Sequence, residues 1–252
     1  MAQSDDSIWG TSKAEPSVEK MVPARRASEY NMKHKNRGQA LIFNQMHYDD
    51  ETACAGAEVD SNNLERELKR LDFHVSVYED YRYEQIQQTI NEVAAQDHSD
   101  SDCILVAVLS HGEQGHISAE DPVEYIWNPF TSDNCPSLAG KPKLFFIQTS
   151  QGTRLMEGTA LKFYSLESDV DFLIAYSTIS GFFWRNTKKG SVFIQSLCAE
   201  LEENGKLLDL LTLLTFVCQR VTNFESHPPD NGMQQISCIA TTLTRILRFE
   251  DK

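Results

Sequence analysis

Two short stretches hold residues whose types and spacing could do chemistry, Leu109-Ser110-His111-Gly112-Glu113 and Ile147-Gln148-Thr149-Ser150-Gln151-Gly152. Each follows an apolar run, Cys103 to Leu109 and Leu144 to Ile147, so each begins where a buried strand should end. A histidine after one strand and a small hydroxyl residue after a neighbouring strand is what a general base and a nucleophile need in a parallel sheet. His111 would be the base and Ser150 the nucleophile. The bland alternative is a pair of scaffold loops with no catalytic part.

The elements that must position these loops can be read from the pattern of apolar residues. Ala40 to Phe43 and His74 to Tyr78 read as strands, and Leu64, Leu68 and Leu71 mark one face of a helix opened by Asp60 or Ser61 as cap. Ile86, Ile90 and Val93 mark a second helix, and Phe172 to Tyr176 a further strand. Two helices, about Val192 to Glu203 and Leu207 to Phe224, and a last strand, Ile236 to Phe249, complete the chain. Strands alternating with helices predict an α/β fold, a parallel sheet with helices on both faces and functional groups at the C-terminal ends of its strands.

Composition narrows the function classes. The 252 residues carry 23 Lys plus Arg against 37 Asp plus Glu, a formal charge of −14, so the chain as a whole repels a phosphate backbone and nucleic acid is not an expected partner. The six cysteines, Cys54, Cys103, Cys135, Cys198, Cys218 and Cys238, lie far apart and several sit in apolar runs, which suits buried reduced thiols and a cytoplasmic setting. No metal and no cofactor is implied. The start, Met1 to Gly10, has no apolar core of the kind a secretory signal needs, and Leu207 to Cys218 is too short and too interrupted for a membrane span. Residues 1–36 read as a disordered leader with a basic stretch between Lys20 and Arg37.

Three stretches resemble the caspase family: His98 to Glu113, Leu138-Ala-Gly-Lys-Pro-Lys-Leu-Phe-Phe-Ile-Gln148, and Trp184-Arg185-Asn186. The likeness runs from about Tyr30 to Phe249 and is to insect effector caspases with short leaders. It implies a caspase-like fold, a mostly parallel six-stranded sheet with large- and small-subunit regions, here 37–150 and 171–252 in one chain joined by a short linker, 151–170. It also implies pairing of two such units through the last strand, for which Ile239, Thr241, Leu243, Arg245 and Leu247 are the interface candidates.

The resemblance also shows departures. The family motif Gln-Ala-Cys-X-Gly is here Gln148-Thr149-Ser150-Gln151-Gly152, so the cysteine nucleophile is replaced by serine, whose hydroxyl holds its proton far more tightly than a thiol. His111 and Gly112 match the base and the oxyanion-hole donor. The family's aspartate pocket resembles a socket of two arginines and a glutamine; Gln148 and Arg185 match, but the first arginine falls on Cys54, which weakens a carboxylate clamp. Gly181-Phe182-Phe183-Trp184-Arg185 stands one residue short of the family element, a groove tryptophan falls on Val192, and the loop Ser226 to Gln235 is shortened. Asp169 is the linker's single aspartate, so an uncut chain is expected.

These departures lead to the expectation of a pseudoenzyme, with His111, Gly112 and Ser150 as degenerate catalytic positions. It would regulate an active effector caspase paralogue in apoptosis by heterodimerisation, with enhancement preferred over inhibition. The alternatives are an inhibitory decoy for caspases or for caspase inhibitors and adaptors, and a serine-based hydrolase using Ser150 and His111.

Overall fold

The computed structural model describes residues 28–46, 56–110, 124–149, 170–177, 186–187, 190–224 and 235–252. The strands are β1 (Gln39–Gln45), β2 (His74–Glu79), β3 (Ile104–Ser110), β4 (Lys143–Thr149), β5 (Phe172–Tyr176), β6 (Asn186–Thr187), β7 (Gly190–Ser191) and β8 (Cys238–Thr241). The helices are α1 (Ala57–Arg70), α2 (Tyr83–Ala94), the short α3 (Glu124–Trp127), α4 (Val192–Asn204) and α5 (Leu210–Thr222). Six strands form one sheet in the order β2-β1-β3-β4-β5-β8, and β6 and β7 make a separate two-stranded hairpin. β1 to β5 run parallel, and β8 is antiparallel to β5.

Unbroken apolar runs make this sheet because both its faces are covered. Alternate residues of β1 and β3 point to opposite sides. Ile42, Leu105, Ala107 and Phe146 meet Leu64 and Leu68 of α1, Leu197 of α4 and Leu213 and Val217 of α5. Leu41, Val106, Phe145 and Ile147 meet Ile86 and Ile90 of α2 with Trp127 and Phe130. Each fully buried Phe or Leu contributes about 1.5–3 kcal/mol relative to exposure. Gly38 is required at the entry to β1: its φ is 128°, and a Cβ there would lie 1.8 Å from the Cys103 carbonyl oxygen.

Several sequence expectations change in detail. α1 begins at Ala57 with Gly56 at its cap, so Asp60 and Ser61 stand inside the helix rather than capping it. α5 begins at Leu210 because the Asp209 carboxylate accepts the Thr212 N–H at 3.1 Å, not at Leu207. The last strand is four residues, Cys238–Thr241, instead of Ile236 to Phe249. Beyond it Thr244 and Tyr30 both donate to the Asp171 carboxylate, at 2.7 and 2.6 Å, and this knot draws the chain off the sheet. Leu247 and Phe249 then turn into the core. Residues 28–36, expected in the disordered leader, are built in: Tyr30 and Met32 are buried, and Tyr30 N–H donates to Ile246. α3 and the β6–β7 hairpin were not legible in the apolar pattern. The rest of the leader and linker lie outside the described residues.

A charged cluster closes the N-terminal end of the sheet. Arg37 and Asp102, both fully buried, pair at 2.9 Å, and His34 and Lys252 also reach the Asp102 carboxylate. Arg37 further donates to the Leu71 carbonyl at 2.9 Å and to the Glu250 carbonyl. One buried carboxylate thus gathers the segments before β1, before β3 and at residue 252. Removing it strands the Arg37 guanidinium in a dry site, so Asp102→Ala should cost about 3–5 kcal/mol, read by equilibrium denaturation.

Candidate active site

The strands that lead to the two chemical loops end side by side. β3 and β4 are hydrogen-bonded neighbours in the middle of the sheet, with Leu109 opposite Gln148 and Ser110 opposite Thr149. Because β1 to β5 run parallel, their C-terminal ends lie along one edge. Of the residues expected there, Gln148 and Val192 are described. Cys54, His111, Gly112, Ser150, Trp184 and Arg185 lie outside the described residues.

Gln148 is 0% exposed, and neither atom of its amide has a hydrogen-bond partner among the described residues. As the second residue after Phe146 it shares that residue's face of the sheet, toward α1 and α4. Asn44, at the end of β1 and opposite Leu109, points to the same face. It too is fully buried, with neither amide atom partnered among the described residues. Polar amides left so in a dry edge are costly, which is a mark of a site rather than of a core. Sequence reasoning missed Asn44, although a polar residue ending the apolar run Ala40 to Phe43 was a usable signal.

Val192 does not line a groove: it is 1% exposed, the first residue of α4 and packed in the core with Phe193 and Ile194. Across β5, Gln235 Nε2 and the Ser237 hydroxyl both donate to the Ser177 carbonyl, at 2.8 and 3.1 Å, and tie the chain entering β8 to the end of β5.

The interface candidates divide. Ile239 and Thr241 lie in β8, which pairs with β5 on one side and closes the order of the sheet. Thr242 N–H donates to the Phe172 carbonyl at 2.8 Å. The antiparallel alternation then turns the backbone groups of Thr241 and Ile239 away from β5. Leu243 is partly buried against the core, Arg245 is exposed with its guanidinium over the Tyr30 ring at 5.5 Å, and Leu247, 2% exposed, is core and not interface.

The described cysteines are unpaired. Burial pushes the Cys103 thiol up to about 12 and raises those of Cys198, Cys218 and Cys238, so none of these four offers a thiolate near neutral pH. Among the described residues no group of His, Cys, Asp and Glu could hold a metal ion, and no helix is long and apolar enough to cross a membrane.

A six-stranded, mostly parallel sheet in which β3 and β4 end side by side is the plan of a cysteine peptidase of the caspase type. Residues 37–248 match the Caspase domain of the Peptidase_C14 family, and the chain belongs to that family. Caspase drICE of Drosophila melanogaster is 57% identical over 93% of this chain and 76% of its own length. Caspase-1 of Spodoptera frugiperda is 46% identical over 98% of this chain and 90% of its own length. The crystal structure of the Spodoptera frugiperda protein superposes with a TM-score of 0.78, covering 91% of this chain and 98% of that one.

These relatives overturn the expectation of a pseudoenzyme that regulates a paralogue, and they give no better support to the decoy or to a serine hydrolase acting on non-aspartate substrates. Relatives so similar across nearly the whole chain are named as caspases, and that is the activity the comparisons support. The departures behind the expectation fall on Ser150, on Cys54 and on loop and linker lengths, nearly all outside the described residues, whereas the likeness to proteins named caspases spans the chain.

The buried amide of Gln148 makes a further prediction. Gln148→Met keeps the volume and removes two unpartnered polar atoms, so it should stabilise the fold by about 1–3 kcal/mol in thermal or denaturant unfolding. A destabilised variant would show that the amide is satisfied.

Proposed function

We propose that the chain is a caspase-type peptidase, cleaving peptide bonds at the C-terminal edge of the sheet, cytoplasmic and active in apoptosis. The observation that carries this reading is 57% identity over 93% of the chain with a protein named a caspase. The adjacent ends of β3 and β4 support it. By the family's roles, His111 takes the proton from the side chain at position 150 as it attacks the scissile carbonyl, and the Gly112 N–H receives the oxyanion. Gln148 and Arg185 hold the substrate side chain, with Cys54 at the edge of that pocket.

Serine at position 150 makes the hydroxyl the attacking group. A hydroxyl is less acidic than a thiol, so turnover is slow and limited by proton removal. The pairing partner is a second caspase-fold chain, an effector paralogue, with caspase inhibitors and adaptors as further partners. The outward backbone groups of Ile239 and Thr241 support pairing by strand addition at β8.

Aspartate-ended fluorogenic peptides test the reading. Slow turnover by the purified chain should be lost in His111→Ala, Ser150→Cys should raise kcat, and Cys54→Arg should lower KM by supplying a second cation. No turnover by the wild type, by Ser150→Cys or by the double variant overturns it. For the pairing, Thr241→Pro removes one outward N–H and keeps the backbone ladder to β5, though it also removes the hydroxyl that bonds to the Phe172 carbonyl and the Leu243 N–H. Against Thr241→Val, which loses only that hydroxyl, it should weaken association with the paralogue in sedimentation velocity. Unchanged association would exclude β8.

A further inference from the structure

The β6–β7 hairpin is fastened to α1 by one buried acid. Asp60, in the first turn of α1, is 0% exposed, and its two carboxylate oxygens lie 2.9 and 2.8 Å from the Ser191 N–H. The Ser191 hydroxyl also bonds to Asp60 and in turn accepts the Ile194 N–H at 3.3 Å, so the same serine caps α4. Gly190 closes the fit: its φ is 105°, and a Cβ there would stand 2.1 Å from Asp60 Oδ1. α1, β7 and the start of α4 therefore meet on a single carboxylate.

In sequence, the two segments joined in this way adjoin residues assigned above to the candidate pocket. Arg185 is the residue before β6, and Cys54 lies six positions before Asp60. We propose that Asp60 is a positioning residue, a proton-sensitive clasp that holds the β6–β7 hairpin against α1 and is tightest when its carboxyl is protonated. This goes beyond the peptidase reading and rests on it only in naming Arg185 as a pocket residue.

The physical reason is the cost of a buried charge. Burial pushes the Asp60 carboxyl up from 3.8 to about 7, against the lowering effect of its bonds from Ser191. From α4 the titratable group facing it is the Cys198 thiol, raised chiefly by burial, with Asp60 and Glu67 adding. From α1, Glu67 and Arg66 pair with each other at 2.8 Å, and from β7 come the N–H and hydroxyl of Ser191. When the hairpin opens, water reaches the carboxyl and it ionises at its ordinary value. The open form therefore binds fewer protons than the closed one between about pH 4 and 7, and opening becomes easier as pH rises through that window. Above about pH 7 both forms are ionised and the dependence ends.

Hydrogen exchange of the Ser191 amide in the full chain, corrected for its intrinsic pH dependence, reads this directly. Protection should fall by about tenfold per pH unit from pH 5 to near 7 and then level. In Asp60→Asn, which keeps an acceptor oxygen but cannot ionise, it should be flat. A flat wild-type profile, or a slope that survives in Asp60→Asn, overturns the proposal. Carbon NMR titration of the Asp60 carboxyl in the unaltered chain gives a second reading should Asp60→Asn fail to fold, and a midpoint near 4 overturns it as well. Neither measurement uses peptidase activity, so each can fail while the peptidase reading stands, and the reverse.

Discussion

The constraint on which the rest depends is the double burial of the central strands. β3 is buried from Ile104 to Ser110, β1 from Ala40 to Gln45, and β4 and β5 likewise among the residues whose burial is described. A parallel sheet dry on both faces leaves polar residues two places to go, its two edges across the strand ends. The N-terminal edge takes the charge cluster around Asp102, and the C-terminal edge takes Asn44, Gln148 and the strands that lead to the loops.

The two edges are built by opposite rules. At the N-terminal edge Asp102 meets Arg37, His34 and Lys252, so a buried charge is compensated and the segments around residues 34–37, 102 and 252 are held together. At the C-terminal edge the amides of Asn44 and Gln148 are buried and left without partners among the described residues. Saturated hydrogen bonding is what a structural joint requires, and open hydrogen-bonding capacity is what a recognition site requires. Asp60 stands between these cases: its bonds from Ser191 hold the ion, and the dry surroundings resist it.

Much of the fold was legible because its signals are local. Continuous apolar runs marked β1, β3, β4 and β5, and the spacing of Leu64 and Leu68 or of Ile86 and Ile90 marked the helices. The errors fall where a distant residue decides. The last strand stops at Thr241 because Asp171 gathers Thr244 and Tyr30, which stand far apart in the chain. Val192 and Leu247 satisfy an exposed pattern as well as a buried one, and only the packing of α4 and of the final segment placed them inside. The functional expectation rested on Ser150, Cys54 and loop lengths, nearly all outside the described residues, and the likeness of the whole chain to proteins named caspases overturns it.

By itself the sequence determined the α/β class, the caspase resemblance and the two strand-end motifs, because hydrophobic period and residue type along the chain carry that information. Only the tertiary structure decided that β3 and β4 are neighbours in register, that Asn44 shares a face with Gln148, and that Asp60 reaches the start of α4. Each of these joins residues far apart in sequence, and the burial that gives them their energies exists only once the layers have packed.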